Sequence, residues 1–267
     1  MNSSNLPKRF LKIEEWSSHE EYMNYFNFIL PLSLKTAGFK KILTKHLSPK
    51  IRKFGFIGSG FKFIKKLDNG YIHIFELSAT KYGGGCEIFV GVHLDFLPAS
   101  YWLKKNINKM KVHDCFLVKR ITLPNENPIF YYGNSENEAI ETIKYILQAF
   151  NNQALNFLNN FTNFPLPFDK INLEKIKNNS VDFLNEENIM GGQHMLSIVR
   201  ILQKINQTDE AKKIVNYLFE NNKKLKDNFV FKPLFNRILN DNIDFFYNEN
   251  EIEELKSKIE KTMANNV

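Results

Sequence analysis

Apolar positions along this chain follow a helical spacing at both ends and an alternating one between them. Ser17 and Ser18 stand before His19-Glu20-Glu21, so either suits a helix N-cap before an acidic first turn. Behind them Tyr22, Tyr25, Phe26, Phe28 and Ile29 form an apolar face that Pro31 ends or kinks. Phe39, Ile42, Leu43, Leu47 and Ile51 recur at three- and four-residue steps and predict helix over 38–53. Ser48-Pro49, a cap followed by a proline at the first helical position, divides that segment into two short helices. From residue 60 the period falls to two. Phe61, Phe63 and Lys65 alternate with Lys62, Ile64 and Lys66, and Asp68-Asn69-Gly70 supplies a hairpin turn in which Asn-Gly accepts positive φ. The return strand is 71–80, Gly83-Gly84-Gly85 closes a second turn, and 86–96 is a third strand rich in β-branched and aromatic residues. Strands are also expected near 115–123 and 128–133, with a short helix or loop excursion over 99–110. The alternation predicts a sheet with one face in the core and the other in water.

Ser135-Glu136-Asn137-Glu138 has the form of a capping box. It opens a helix whose stripe is Ile140, Ile143, Ile146, Leu147 and Phe150, and which continues through Leu155 and Leu158. Pro165-Leu166-Pro167 interrupts regular structure, and helices are expected beyond it over 172–185, 193–206, 209–222, 230–241 and 250–264, with Thr208 capping the third. The stretch 202–221 resembles one helix–turn–helix hairpin of a tetratricopeptide-type repeat, but no second copy follows at a fixed period, which argues against a solenoid. The fold class is therefore α+β: an antiparallel sheet covered by helices over 1–165, followed by an all-helical region over 166–267.

Charge sharpens that boundary. Residues 1–165 hold 21 Lys and Arg against 13 Asp and Glu, and residues 166–267 hold 15 against 16, so the net +7 comes from the first part. Lys35 to Lys66 contains ten cations and no acid. Such a block suits phosphate or an acidic protein face, and equally a solvated surface that keeps the chain soluble. No signal-like apolar run opens the chain and no stretch is long enough to span a membrane, so a cytoplasmic protein without a membrane partner is expected. Cys86 and Cys115 read as small buried hydrophobes in strands.

The segment Ser48 to Phe96 carries a family resemblance. Lys50-Ile51-Arg52-Lys53-Phe54-Gly55-Phe56 supplies a helix ending in Lys-x-x-Gly-Phe, Phe61-Lys62-Phe63 a strand with spaced aromatics, Tyr71 to Ser78 a second strand, and Glu87-Ile88-Phe89-Val90-Gly91-Val92 a third. This resembles the bacterial family called domain of unknown function 4304, over roughly residues 38–160. Glu76-Leu77-Ser78 departs from it, standing where the family tends toward Gln. The resemblance implies an antiparallel sheet covered by helices and no known activity. Small bacterial α+β proteins of this kind resemble immunity proteins, which implies a toxin-like effector as partner.

Candidate chemistry is sparse. The six histidines form no H-x-H or H-E-x-x-H and no Cys/His cluster with metal spacing, so no metal and no cofactor is expected. His93 and Asp95 fall on one face of a strand, and if 71–80 pairs with 86–96 then His73 approaches them as a general acid–base group; the plainer reading is polar residues on a solvated face. Cys115 and His113, two apart on a strand, form a conceivable dyad with no visible partner. Gly58-Ser59-Gly60 and Gly83-Gly84-Gly85 lack the strand–loop–helix setting of a phosphate site and fit turns. Phe61, Phe63, Tyr71 and Phe75 among lysines suggest a base-stacking sheet, but no RNA-recognition motif accompanies them.

The expectation is thus a non-enzymatic protein-binding protein, immunity- or antitoxin-like. Its candidate contact residues are Lys50, Arg52, Lys53, Lys62, Lys65 and Lys66. Nucleic-acid binding through 35–66 is the alternative, and an enzyme using His73, His93 and Asp95 is the third reading. A basic immunity protein would suit an acidic toxin face; nuclease inhibitors tend to be acidic, which disfavours a nuclease target.

Overall fold

The computed structural model describes residues 6–25, 27, 34–80, 84–98, 106–181, 183–184, 191–242, 244 and 247–264. Phe26, Phe28, Ile29, Pro31, the start of the glycine turn at 81–83 and the first part of the 99–110 excursion lie outside the described residues. The chain divides into two compact units, residues 1–93 with 111–162 and residues 94–110 with 163–267.

The first unit is built on a six-stranded antiparallel sheet. Its strands are β1 (Ile57–Ser59), β2 (Lys62–Lys66), β3 (Tyr71–Ala79), β4 (Gly85–Leu94), β5 (Leu117–Ile121) and β6 (Ile129–Tyr131). They lie in the order β1-β2-β3-β4-β5, and β6 pairs with β4 next to β5. The Asn69-Gly70 turn forms as the sequence predicts: Leu67 N–H donates to Tyr71 O (2.8 Å) and Gly70 adopts φ 91°. β1 was not anticipated. Gly58 belongs to that strand at φ 136°, and the reversal is made at Gly60, φ 64°. A side chain at Gly58 would strike the Lys62 carbonyl, so glycine is required where the two backbones close together.

Helices α1 (His19–Asn24), α2 (Thr36–His46), α3 (Ser48–Arg52), α4 (Glu136–Ala149) and α5 (Leu155–Asn159) complete this unit. Ser18 is the cap of α1, its Oγ accepting from Glu21 N–H (3.1 Å). The break between α2 and α3 comes at Leu47, and Ser48 Oγ ties it to the sheet, donating to Leu43 O (3.3 Å) and accepting from Gly60 N–H (3.0 Å). Ser135 caps α4 through Glu138 N–H (3.3 Å), while the Glu138 carboxylate reaches one residue further back, to Asn134 N–H (2.9 Å). A π-turn at Phe150–Ala154 joins α4 to α5. Gln153 in that turn clamps the end of β5, donating to Thr122 O (2.7 Å) and accepting from Thr122 N–H (3.2 Å).

Aromatic rings dominate the core of this unit. Phe150 is fully buried, with Phe75 of β3 at 4.9 Å, Phe54 at 5.2 Å and Phe56 at 6.0 Å between centroids, all near edge-on. Phe39 of α2 stacks on Tyr132 at 4.0 Å. Buried aromatics of this size remove large areas from water, and edge-on pairs add roughly 0.5–1.5 kcal/mol each. The expected division of the sheet into a buried and a wet face is corrected at its centre: Tyr71, Ile72, His73, Ile74 and Phe75 are all buried, so β3 is covered on both sides. On the Glu76 side a 3₁₀ turn, Val112–Asp114, lies against β3, where Val112 N–H donates to Glu76 Oε2 (2.9 Å).

The second unit is helical: α6 (Leu173–Lys177), α7 (Gly192–Lys204), α8 (Thr208–Asn221), α9 (Lys223–Lys226), α10 (Lys232–Leu239) and α11 (Glu249–Ala264). α7 and α8 pack through Leu196, Val199 and Leu202 and through Ala211, Ile214, Val215 and Leu218, all buried, across the turn at 205–207. Thr208 is already helical and makes no cap; Gln207 holds the cap position, and its side chain donates to Asp169 O (3.2 Å). The helix expected over 172–185 stops at Lys177, because Asn179 turns to φ 50° and Ser180 N–H bonds back to Lys175 O (2.9 Å). Arg200 lies in the core, near Arg237. Burial first, then the Arg237 charge, pulls its pKa down to about 9, which still leaves a cation at neutral pH. No helix among the described residues is long and apolar enough to cross a membrane.

Candidate functional site

The faces of the sheet follow from its pleat and register. Across β2 and β3, Lys62 opposes Glu76, Ile64 opposes Ile74 and Lys66 opposes Ile72, while Phe63 opposes Phe75 and Lys65 opposes His73. One face therefore carries Lys62, Ile64, Lys66, Ile72, Ile74 and Glu76; the other carries Phe63, Lys65, Tyr71, His73 and Phe75. The second face receives Phe150 and Phe161, with His73 Nε2 at 2.8 Å from Phe161 O. A carbonyl only accepts, so that nitrogen carries the proton. His73 is 3% exposed, and its pKa drops from 6.5 to about 4: burial is the main cause, Lys65 across the strand adds to it, and the Phe161 bond opposes it.

His93 points the other way. A Cβ on Gly91 would meet Cys115 Sγ and Val112 Cγ2, and Val112 is bonded to Glu76. Gly91 and His93 thus share the Glu76 face, opposite His73. Asp95 lies past the end of β4, in an exposed turn. The grouping of His73, His93 and Asp95 expected from strand pairing is accordingly not formed: a strand pair delivers two imidazoles to one site only when the register puts them on one face. The Cys115–His113 dyad is not formed on a strand either. His113 is exposed in the 3₁₀ turn with its ring 5.0 Å from Phe89, while Cys115 is buried, its Sγ 4.0 Å from Lys111 O. Burial raises both thiols, with Asp114 adding to it at Cys115 and Glu87 at Cys86, so neither forms a thiolate readily. Among the described residues no group of three or more His, Cys, Asp or Glu side chains is placed to hold a metal ion.

The basic candidates do not converge on one point. Lys50 and Lys53 are exposed at α3 and just after it. Arg52 is committed to the fold, its Nε and Nη2 donating to Gly58 O at 3.0 and 2.9 Å, which covers a carbonyl of β1. Lys65 faces His73, and its stem runs past Gly55. Lys62 and Lys66 lie on the opposite face of β2, on either side of Ile64.

That last arrangement has a feature the sequence did not announce. Ile57 of β1 pairs with Ile64, which pairs with Ile74, so three isoleucines form a row across the sheet. Ile74 is buried, Ile64 half-buried and Ile57 81% exposed. Phe54, at the turn leading into β1, is 38% exposed. A β-branched aliphatic on an end strand, with Lys62 and Lys66 flanking its cross-strand neighbour, is an unusual thing to leave in water. The signal was present in Phe56-Ile57-Gly58, which reads as a strand once Gly58 is allowed inside it.

Residues 47–160 match the family model described as Domain of unknown function (DUF4304), the family that the segment Ser48–Phe96 resembles. The match runs from the start of α3 to the end of α5 and takes in all six strands. No curated protein and no solved structure matches the chain.

Proposed function

We propose that this chain is a non-enzymatic binding protein that receives an acidic protein partner at the β1–β2 edge of its sheet, in the manner of an immunity protein and a toxin-like effector. The exposure of Ile57 carries this reading. Burying that side chain against a partner is worth roughly 1.5–3 kcal/mol, the scale of a single interface anchor. Lys62 and Lys66, which flank Ile64 on the same sheet face, set the sign of the partner. Such charges speed encounter and exclude basic surfaces more than they tighten the complex. Two features disfavour simple addition of a partner strand to β1: the strand is short, and Arg52 already occupies the Gly58 carbonyl. Contact through the side chains of the sheet face fits better.

The test is quantitative capture from the native host with three baits: the wild type, Ile57→Asp, and Lys62→Glu/Lys66→Glu. One acidic protein is expected at near-stoichiometric amount with the wild type and at least about 10-fold less with either variant, the scale of one lost anchor. The same proteins recovered equally by all three baits would refute the reading. Nucleic acid retained at low salt and shed steeply as salt rises would favour the alternative, binding through 35–66.

A further inference from the structure

A second region of the first unit has the makings of a ligand site. A cavity of about 520 Å³ opens beside α1, within the range of small-molecule sites. Trp16 and Tyr25 line it together with Lys8, Ser18, Glu20 and Glu21. The rings of Trp16 and Tyr25 stand 5.2 Å apart at 46°, and Tyr22 meets Trp16 edge-on at 5.9 Å. Trp16 Nε1–H donates to Leu11 O (3.4 Å), which fixes the indole against its own chain. Half-exposed aromatic walls at an angle, beside carboxylates, are suited to a cation, which the negative faces of the rings attract.

The polar groups of the lining narrow the choice of cation. Glu21 is ion-paired to Lys8 and bonded to Ser17 Oγ, and this holds its carboxyl below the usual carboxylate range. Ser18 Oγ accepts from Glu21 N–H. Among the described residues Glu20 makes no ion pair, and the three charged residues of the lining sum to −1. A primary ammonium or a guanidinium entering here gives up water and has only Glu20 and Asn24 to replace it, since Glu21 and Ser18 are already engaged. A quaternary ammonium has no N–H to satisfy, is weakly hydrated, and needs only ring faces and a nearby negative charge.

We propose that this cavity binds a quaternary ammonium group, with Trp16 and Tyr25 as its walls and Glu20 as its counter-charge. The group can belong to a free solute such as choline or to a trimethylated lysine on a protein. The test uses the full chain with Trp102→Phe, which leaves Trp16 as the only indole. Its fluorescence is titrated with tetramethylammonium, choline, a trimethyl-lysine peptide and methylammonium, each against sodium chloride at matched ionic strength. Saturable change with tetramethylammonium is expected, at least about 10-fold tighter than with methylammonium and about 10-fold weaker in Tyr25→Leu. Glu20→Gln, an exposed change that leaves the fold alone, is expected to weaken it about 3-fold. Tighter binding of the peptide than of choline assigns the group to a protein, and the reverse assigns it to a solute. No saturation beyond the sodium chloride control, equal affinity for methylammonium, or indifference to Glu20→Gln would overturn the proposal.

Discussion

Replacing Phe150 by alanine is expected to destabilise the sheet unit by about 3–5 kcal/mol, the usual cost of removing a fully buried phenylalanine from a packed core. Phe150 is completely enclosed and is the ring on which Phe54, Phe56 and Phe75 converge. It sits at the start of the π-turn that joins α4 to α5. Collapse around the void is hindered because the partners come from two separate segments, the turn before β1 and strand β3. Phe54→Ala is the matched control: the ring is 38% exposed and its loss costs about 1 kcal/mol or less. Native-state hydrogen exchange of the β3 amides reads the effect locally, without assuming that the whole chain unfolds in one step. Opening free energies that fall alike in the two variants would show that Phe150 is not the centre of this core.

The second large effect is a loss of stability in mild acid. His73 is held neutral, with a folded pKa of about 4 against 6.5 when unfolded. Between those values the unfolded chain binds the extra proton, so stability is fully present above pH 6.5 and declines as the pH falls toward 4. The loss from this one group amounts to about 2 kcal/mol by pH 5 and about 3 kcal/mol near pH 4. His194 in the helical unit is lowered by burial as well and acts in the same direction. Carboxyls held low, such as those of Glu210 and Glu251, add their loss only below about pH 4.5, outside the upper part of the histidine window. His73→Gln keeps a donor for Phe161 O and cannot titrate. Urea unfolding of this variant followed on the sheet unit is expected to be nearly flat from pH 6.5 to 5, where the wild type declines. Parallel declines in the two proteins would mean that His73 is accessible and ordinary.

How the chain folds was largely legible because the signals are local. Asn69-Gly70, the Ser135–Glu138 cap and the apolar stripe of α4 each act within a few residues, and the structure follows them. Three features were not, because they depend on distant parts of the chain: which strand faces which, and what packs on the sheet. Gly58 reads as a turn until its opposition to Phe63 is known. His73 and His93 read as neighbours until the register sends them to opposite faces. β3 reads as half-wet from its alternation, yet is buried along both sides from Tyr71 to Phe75. The contact candidates fared similarly. A run of ten cations without an acid marks a basic region, but only the pleat separates Lys62 and Lys66, beside Ile64, from Lys65, which faces His73, and only the turn geometry commits Arg52 to Gly58. Ile57 and the Trp16–Tyr25 cavity carried no motif, because exposure of an apolar side chain is a property of the assembled surface.

The proposed function requires the β1–β2 edge to be a surface that meets a protein. Its most direct test is a photo-crosslinking residue placed at position 57 in the native host, with the same residue at the exposed position 144 of α4 as control. One acidic protein joined to the chain from position 57 and absent from position 144 is the predicted result. Irradiation at position 57 that yields no protein adduct, or an adduct with nucleic acid, would contradict it.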